Sequence, residues 1–210
     1  MSKSKRALDT LVCFLLDETG SMCSCKDQTI SGFNEYIATL KKSKNVVFSL
    51  TVFNSARIVN HPAIAIADVE ELSNYNYKPD MMTPLYDAIG QSINKLQLDL
   101  KKMRSKPKVL FVIMTDGEEN CSGEFTSKKV FDMISKKKKD NWTFIFLGAN
   151  QDSWKTGRIM GLDKGNTMNY NTVQIKSTLR SLGEATTNYC NSSMTRTNNF
   201  FVDTKYEEKE

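Results

Sequence analysis

Three nearly continuous apolar runs stand out along the chain: Leu11-Val12-Cys13-Phe14-Leu15-Leu16, Leu110-Phe111-Val112-Ile113-Met114 and Trp142-Thr143-Phe144-Ile145-Phe146-Leu147-Gly148. Runs of this length without polar alternation predict strands covered on both faces, as in a parallel sheet. The first strand is expected over residues 7–16 and the second over residues 108–115, and each run ends abruptly in a polar turn. Asp17-Glu18-Thr19-Gly20-Ser21 follows the first, Thr115-Asp116-Gly117-Glu118-Glu119 the second, and Gly148-Ala149-Asn150 the third. A further run, residues 46–53, is β-branched and aromatic. The turn signal Asn54-Ser55 separates it from Ala56-Arg57-Ile58-Val59-Asn60, which predicts a hairpin with a short antiparallel strand at the sheet edge. Asn166-Thr167-Met168-Asn169-Tyr170 predicts a last short edge strand.

Between these runs the apolar period changes from continuous to helical. Ile30, Phe33, Ile37 and Leu40 predict a helix to about residue 42, opened by Ser24-x-x-Asp27 at capping-box spacing. Leu85, Ala88, Ile89, Ile93 and Leu96 share one face of a second helix, with Pro84 at its first position. Phe125, Val130, Phe131, Met133 and Ile134 mark a third over residues 125–138. A short helix over 152–160 is stopped by Gly161, and Val173, Ile175, Leu179 and Leu182 mark a last one to about residue 188, with Gly183 as its weak point. Asp68-Val69-Glu70-Glu71-Leu72 predicts a short helix and Asn74-Tyr75-Asn76-Tyr77 a loop. The alternation gives an α/β class: a doubly wound, mainly parallel central sheet with helices on both faces and one short antiparallel edge strand.

With 210 residues and 40% hydrophobic content the chain builds one sizeable core. One domain is expected over residues 7–190, followed by a polar, weakly ordered tail over 191–210, in which Phe200-Phe201-Val202 offers a local docking point. The net charge of +5 is mild, and Lys136-Lys137-Lys138-Lys139 reads as a solvated helix end favoured by the helix dipole. Without interleaved aromatics that run argues against nucleic acid as a partner. No stretch approaches the roughly 20 apolar residues of a membrane helix. The basic start Met1-Ser2-Lys3-Ser4-Lys5-Arg6 lacks the long apolar region of a secretory signal. A cytoplasmic protein is expected, in the host cytoplasm if phage-encoded. Cys13, Cys23, Cys25, Cys121 and Cys190 form an odd set without staple-like spacing, so free thiols are expected. His61, the only histidine, has no base partner nearby in sequence and reads as an exposed loop residue.

The chemistry concentrates at the strand tips, where open α/β sheets bind ligands. The loop at Asp17 offers a carboxylate and two hydroxyls, hard donors that suit Mg²⁺ or Ca²⁺. One acid is too few, and Asp116 at a second tip and Thr83 at the mouth of a helix complete a set. Taken singly, Asp17 and Asp116 also suit turn capping and Thr83 a helix N-cap. Together, Asp17-x-Thr19-x-Ser21, Thr83 and Asp116 resemble the metal-ion-dependent adhesion site (MIDAS) of von Willebrand factor type A domains. The words Thr83-Pro84-Leu85-Tyr86-Asp87-Ala88-Ile89 and Thr115-Asp116-Gly117-Glu118-Glu119-Asn120 resemble those of bacterial and phage members, and the likeness covers residues 8–189.

The resemblance implies that Asp17, Thr19, Ser21, Thr83 and Asp116 hold Mg²⁺, with Ca²⁺ or Mn²⁺ as alternatives, and that a partner's Asp or Glu completes the ion's shell. It implies a protein-binding module, not an enzyme. Partners suggested by the family include AAA+ ATPases, stress-response assemblies and phage or host surface proteins. Threonine at 19 replaces a frequent serine. Cys23, Cys25 and Cys121 fall in the two acidic loops, where a soft ion or a disulfide is the alternative to free thiols. Glu18, Glu118 and Glu119 are expected at the solvated rim or behind the ligands, Asp87 as a first-turn helix acid, and Asp80 has no assigned role. A Mg²⁺-dependent phosphatase using Asp17 as nucleophile is the alternative enzyme, although Thr19 stands where such enzymes place a second acid. A nucleic-acid-associated protein is the third reading.

Overall fold

The computed structural model describes residues 9–43, 45–103, 105–149 and 153–203. Residues 7 and 8 of the expected first strand, the basic segment 1–6, Asn150, Asp152 and the charged end 205–210 lie outside the described residues.

Among the described residues seven strands form one sheet: β1 Thr10–Asp17, β2 Val46–Asn54, β3 Arg57–Asn60, β4 Ile64–Ala65, β5 Lys108–Thr115, β6 Trp142–Ala149 and β7 Thr167–Tyr170. Their order is β3-β2-β1-β5-β6-β7, with β4 also on β2. β2, β5, β6 and β7 join the sheet through parallel pairings, and β3 and β4 run antiparallel to β2. β3 is the short antiparallel edge strand expected from sequence, and the two-residue β4 adds a second antiparallel pairing on β2. The His61 amide donates to Leu50 O at 2.8 Å, and Pro62, which has no N–H to give, interrupts the ladder there.

β1 is the centre of the sheet, and all eight of its residues are buried. Alternation along a strand sends successive side chains to opposite faces, and β1 feeds two cores. Val12, Phe14 and Leu16 pack with Phe33, Tyr36, Leu179 and Leu182, residues of α1 (Lys26–Leu40) and α5 (Ile175–Asn191). Leu11, Cys13 and Leu15 pack with Leu85, Ile89, Val130 and Ile134, residues of α2 (Leu85–Lys102) and α3 (Ser127–Lys139). This two-sided burial explains the unbroken apolar runs. α4 (Ser153–Ile159) and α6 (Phe200–Asp203) are short additions.

α5 does not break at Gly183. A Cβ there would lie 3.3 Å from Thr39 Cγ2 and 3.4 Å from Tyr36 Cδ2, so the glycine permits the close approach of α1 and α5. Past α5, the Thr197 amide donates to Thr143 Oγ1 at 3.1 Å, the Phe200 amide donates to Asn166 Oδ1 at 2.8 Å, and Phe200 is buried. Lys108 is buried at the start of β5, and its Nζ donates to Tyr189 O, Cys190 O and Ser192 O at 2.7, 3.2 and 3.0 Å. A lysine thereby satisfies carbonyls at the C-terminal end of α5, where cations are favoured.

Three local expectations are corrected. No capping box opens α1: its N-cap is Cys25, without a side-chain hydrogen bond, because the loop continues as a 3-10 turn over Gly20–Cys25. Residues 68–72 are not a helix. A 3-10 turn at Ile66–Asp68 precedes an irregular stretch in which Asn34 brackets Leu72, accepting from its amide at 2.8 Å and donating to its carbonyl at 2.9 Å. Phe131 is 42% exposed rather than part of the core face of α3.

Candidate functional site

Because β1 and β5 are parallel neighbours with Leu16 opposite Met114, their C-terminal tips emerge side by side. Asp17 closes β1 and Thr115 closes β5. Asp17 is fully buried, with Oδ1 accepting from the Thr19 amide at 2.7 Å and Oδ2 from the Thr115 hydroxyl. Each oxygen keeps a further lone pair. Thr19 Oγ1 lies 3.2 Å from Ser21 Oγ, and Ser21 Oγ donates to Asp116 Oδ1 at 2.5 Å. One side-chain chain of contacts therefore runs from the β1 loop to the β5 loop.

Thr83 arrives from the segment before α2. Its hydroxyl does not cap that helix, whose N-cap is Pro84 without a side-chain bond. Instead Asn120 grips the Thr83 backbone, accepting from its amide at 2.9 Å and donating to its carbonyl at 3.1 Å. The hydroxyl lies beside Gly117: a Cβ built there would meet Thr83 Oγ1 at 3.1 Å and Ser21 Oγ at 3.4 Å. These two hydroxyls flank one small space that the absence of a side chain at 117 keeps free. Asp17, Thr19 and Thr83 form the buried floor, Asp116 is half-buried, and Ser21 faces solvent. All five oxygen-bearing residues expected from sequence are thus at one sheet edge.

The electrostatics are those of acids held out of water. Burial pushes the Asp17 carboxyl up to about 6, against hydrogen bonds from Thr115 and Thr19 that lower it, with the Asp116 charge adding to the rise. Asp116 is also raised, again chiefly by burial, with the Ser21 hydroxyl opposing. Among the described residues no cationic side chain is ion-paired to either one. Arg57 donates to Glu18, the residue after Asp17, through Nε at 3.2 Å and Nη2 at 2.7 Å.

Surrounding residues hold the loops in place, and several were not legible in the sequence. Of the two places expected for Glu18, the rim or behind the ligands, the structure gives the second: it is fully buried and also accepts from the Lys78 amide at 2.7 Å. Tyr77, expected in a loop, is buried and donates to Asp17 O at 2.7 Å. Glu119 likewise stands behind the loops rather than at the rim. It accepts from the Tyr86, Cys121 and Ser122 amides at 2.8, 2.9 and 2.6 Å, tying the β5 loop to the first turn of α2. Asp87 is a first-turn acid as expected, and it also accepts from the Gly123, Glu124 and Phe125 amides. Glu118 is exposed. The five cysteines are unpaired, with Cys23 Sγ directed to Pro79 O and Cys25 buried against Met22. Among the described residues no three His, Cys, Asp or Glu side chains converge as a metal cluster. No described helix is long and apolar enough to cross a membrane.

A family model for the von Willebrand factor type A domain matches residues 12–185. No curated protein sequence matches the chain. Among solved structures, the pilus adhesin SpaC from Lactobacillus rhamnosus GG superposes with a TM-score of 0.68 at 10% identity, over 89% of this chain and 31% of that one. The vWF domain of the type V pili tip protein Mfa5 from Porphyromonas gingivalis gives 0.62 at 8% identity, over 90% and 98%. PTMP1 from the mussel byssus, with a zinc-occupied MIDAS motif, gives 0.56 at 14%, over 84% and 48%. The chain therefore spans less than half of PTMP1 and about a third of SpaC, and at these identities the likeness is one of fold.

Proposed function

The chain belongs to the von Willebrand factor type A family, and we propose that it is a divalent-cation-dependent protein-binding module. The observation that carries this is the gathering of Asp17, Thr19, Ser21, Thr83 and Asp116 at one sheet tip, with the Ser21 and Thr83 hydroxyls on either side of the space at Gly117. The donor set fits Mg²⁺, or Mn²⁺ or Ca²⁺: two carboxylates and three neutral hydroxyls, all hard oxygens. When bound, such an ion supplies a positive centre with exchangeable water positions that a carboxylate from another molecule can take.

The chain's own part is positioning. Asp17 holds negative charge beneath the hydroxyls, fixed by Thr115 and the Thr19 amide. Ser21 and Thr83 present neutral oxygens, and Asp116 stands at the solvent side. Two acids against a doubly charged ion leave no surplus negative charge, which favours an acidic residue of the partner as the remaining ligand. The aspartyl phosphatase alternative is disfavoured because Thr19 offers no general acid. The partner classes suggested by the resemblance are AAA+ ATPases and stress-response assemblies. An exposed thiol at Cys23 and four further unpaired cysteines suit a reducing cytoplasm.

The test is capture of a protein partner from lysate on the immobilised chain, with EDTA and with Mg²⁺ restored. Wild type should lose the partner with EDTA and regain it with Mg²⁺, and Asp116→Ala should capture nothing while melting as wild type does. Capture that ignores EDTA would refute the reading.

A further inference from the structure

Met81 and Met82 are adjacent and 55% and 56% exposed. Single apolar residues on a surface need no explanation, but this pair is held there by its backbone. The Met81 amide donates to Asp80 Oδ1 at 2.8 Å, and its carbonyl accepts from the Gly20 amide at 2.9 Å. The Met82 amide donates to Ser55 Oγ at 3.2 Å, and its carbonyl accepts from the Ser55 amide at 3.0 Å. All four backbone polar groups of the pair are satisfied by the loops that follow β1 and β2 and by Asp80. Met81 also has φ of +70°, a left-handed conformation that a residue with a side chain adopts only at a cost, and such strain clusters at binding sites. The pair immediately precedes Thr83, and Gly20, which Met81 grips, lies between Thr19 and Ser21. The fold thus fixes two soft apolar side chains in water at the rim of the oxygen cluster.

Two acids on the loops around that pair, Asp80 and Glu118, are exposed. A partner segment made of consecutive acids meets repulsion there, whereas one acid among apolar residues does not. We propose that Met81 and Met82 are the apolar half of the partner-binding surface. The captured segment carries a single Asp or Glu with a large aliphatic or aromatic residue within about three positions, and that residue packs on the two methionines. Methionine is unbranched and adapts to different shapes, so Leu, Met, Phe and Trp are all accepted at the flanking position. This inference rests on the metal-dependent capture proposed above.

The experiment is an array of short peptides with one central Asp or Glu and varied flanks, probed with the full chain in Mg²⁺ and in EDTA. Wild type is compared with the double variant Met81→Ser, Met82→Ser, and thermal melting checks that the variant folds. Mg²⁺-dependent binding should be strongest for acids flanked by large apolar residues. In the double variant it should fall about tenfold, the effect of uncovering part of two thioether side chains, to the level of peptides flanked by Gly and Ser. Mg²⁺-dependent binding of acids regardless of flank, or a flank preference that survives in the variant, overturns the inference and leaves the metal reading standing. If no peptide binds in a Mg²⁺-dependent way, the metal reading fails and takes the inference with it.

Discussion

Gly117→Ala separates ion binding from folding. The added Cβ meets Thr83 Oγ1 at 3.1 Å, so that hydroxyl must give way by a few tenths of an ångström, and the Cβ comes into ordinary contact with Ser21 Oγ at 3.4 Å. Oxygen to Mg²⁺ distances are confined to about 2.0–2.1 Å in near-octahedral geometry, so a displacement of that size spoils the Thr83 ligand. Disturbing groups that orient metal ligands typically costs about 10–100-fold in affinity, equivalent to about 1.4–2.7 kcal/mol. The fold should be nearly indifferent. Gly117 is not among the residues with positive φ, and Gly→Ala at a compatible backbone position stabilises by about 0.4–1 kcal/mol through the unfolded chain, which offsets the local crowding. Mn²⁺ titration of EDTA-stripped protein by calorimetry, beside urea unfolding of the metal-free forms, measures both terms. Unchanged Mn²⁺ affinity in a folded Gly117→Ala variant would refute the placement of the ion between Ser21 and Thr83.

Other expectations follow from the same contacts. Lys108→Met leaves three carbonyls near the end of α5 without their donor. It should cost about 2–4 kcal/mol, read as a fall in melting temperature of about 5–15 °C; a change below about 1 kcal/mol would show the lysine to be dispensable. Arg57→Met leaves the buried Glu18 carboxylate with only the Lys78 amide. Since Arg57 is 48% exposed, the loss should be about 2 kcal/mol by urea unfolding, below the 3–5 typical of a fully buried pair. The Asp17 carboxyl, raised to about 6 in the folded chain, gives a pH dependence of fixed sign. Its protonated form is favoured by folding, so that stabilisation is complete below its unfolded pKa near 4 and is lost as pH rises through about 6. Metal-free wild type should therefore lose stability relative to Asp17→Asn between pH 4 and 7, and Mn²⁺ affinity should fall as pH drops below about 6. An affinity flat from pH 7 to 5 would remove Asp17 from the metal's surroundings.

The parts of this fold that were legible in the sequence are those whose physics is local. β1, β5 and β6 are covered on both faces, and that environment leaves a continuous apolar run no other element here produces. Once they are parallel neighbours, Asp17 and Asp116 must share an edge. The parts that were not legible depend on partners far along the chain. Glu18 is buried because Arg57 and Lys78 reach it, and nothing next to Glu18 announces either one. Tyr77 sits in a polar word, Asn74-Tyr75-Asn76-Tyr77, yet its hydroxyl finds the Asp17 carbonyl. Ser24-x-x-Asp27 has the spacing of a cap, but the site loop tightens into a 3-10 turn and moves the helix start past it. Lys108 reads as one more basic residue until α5 ends beside it.

The account turns on whether an ion sits between the two loops. Crystals grown in Mn²⁺, with anomalous diffraction measured at the manganese edge, should show one strong peak within about 2.0–2.3 Å of Ser21 Oγ and Thr83 Oγ1, with Asp116 beside it. A map in saturating Mn²⁺ with no peak at that position would contradict the account.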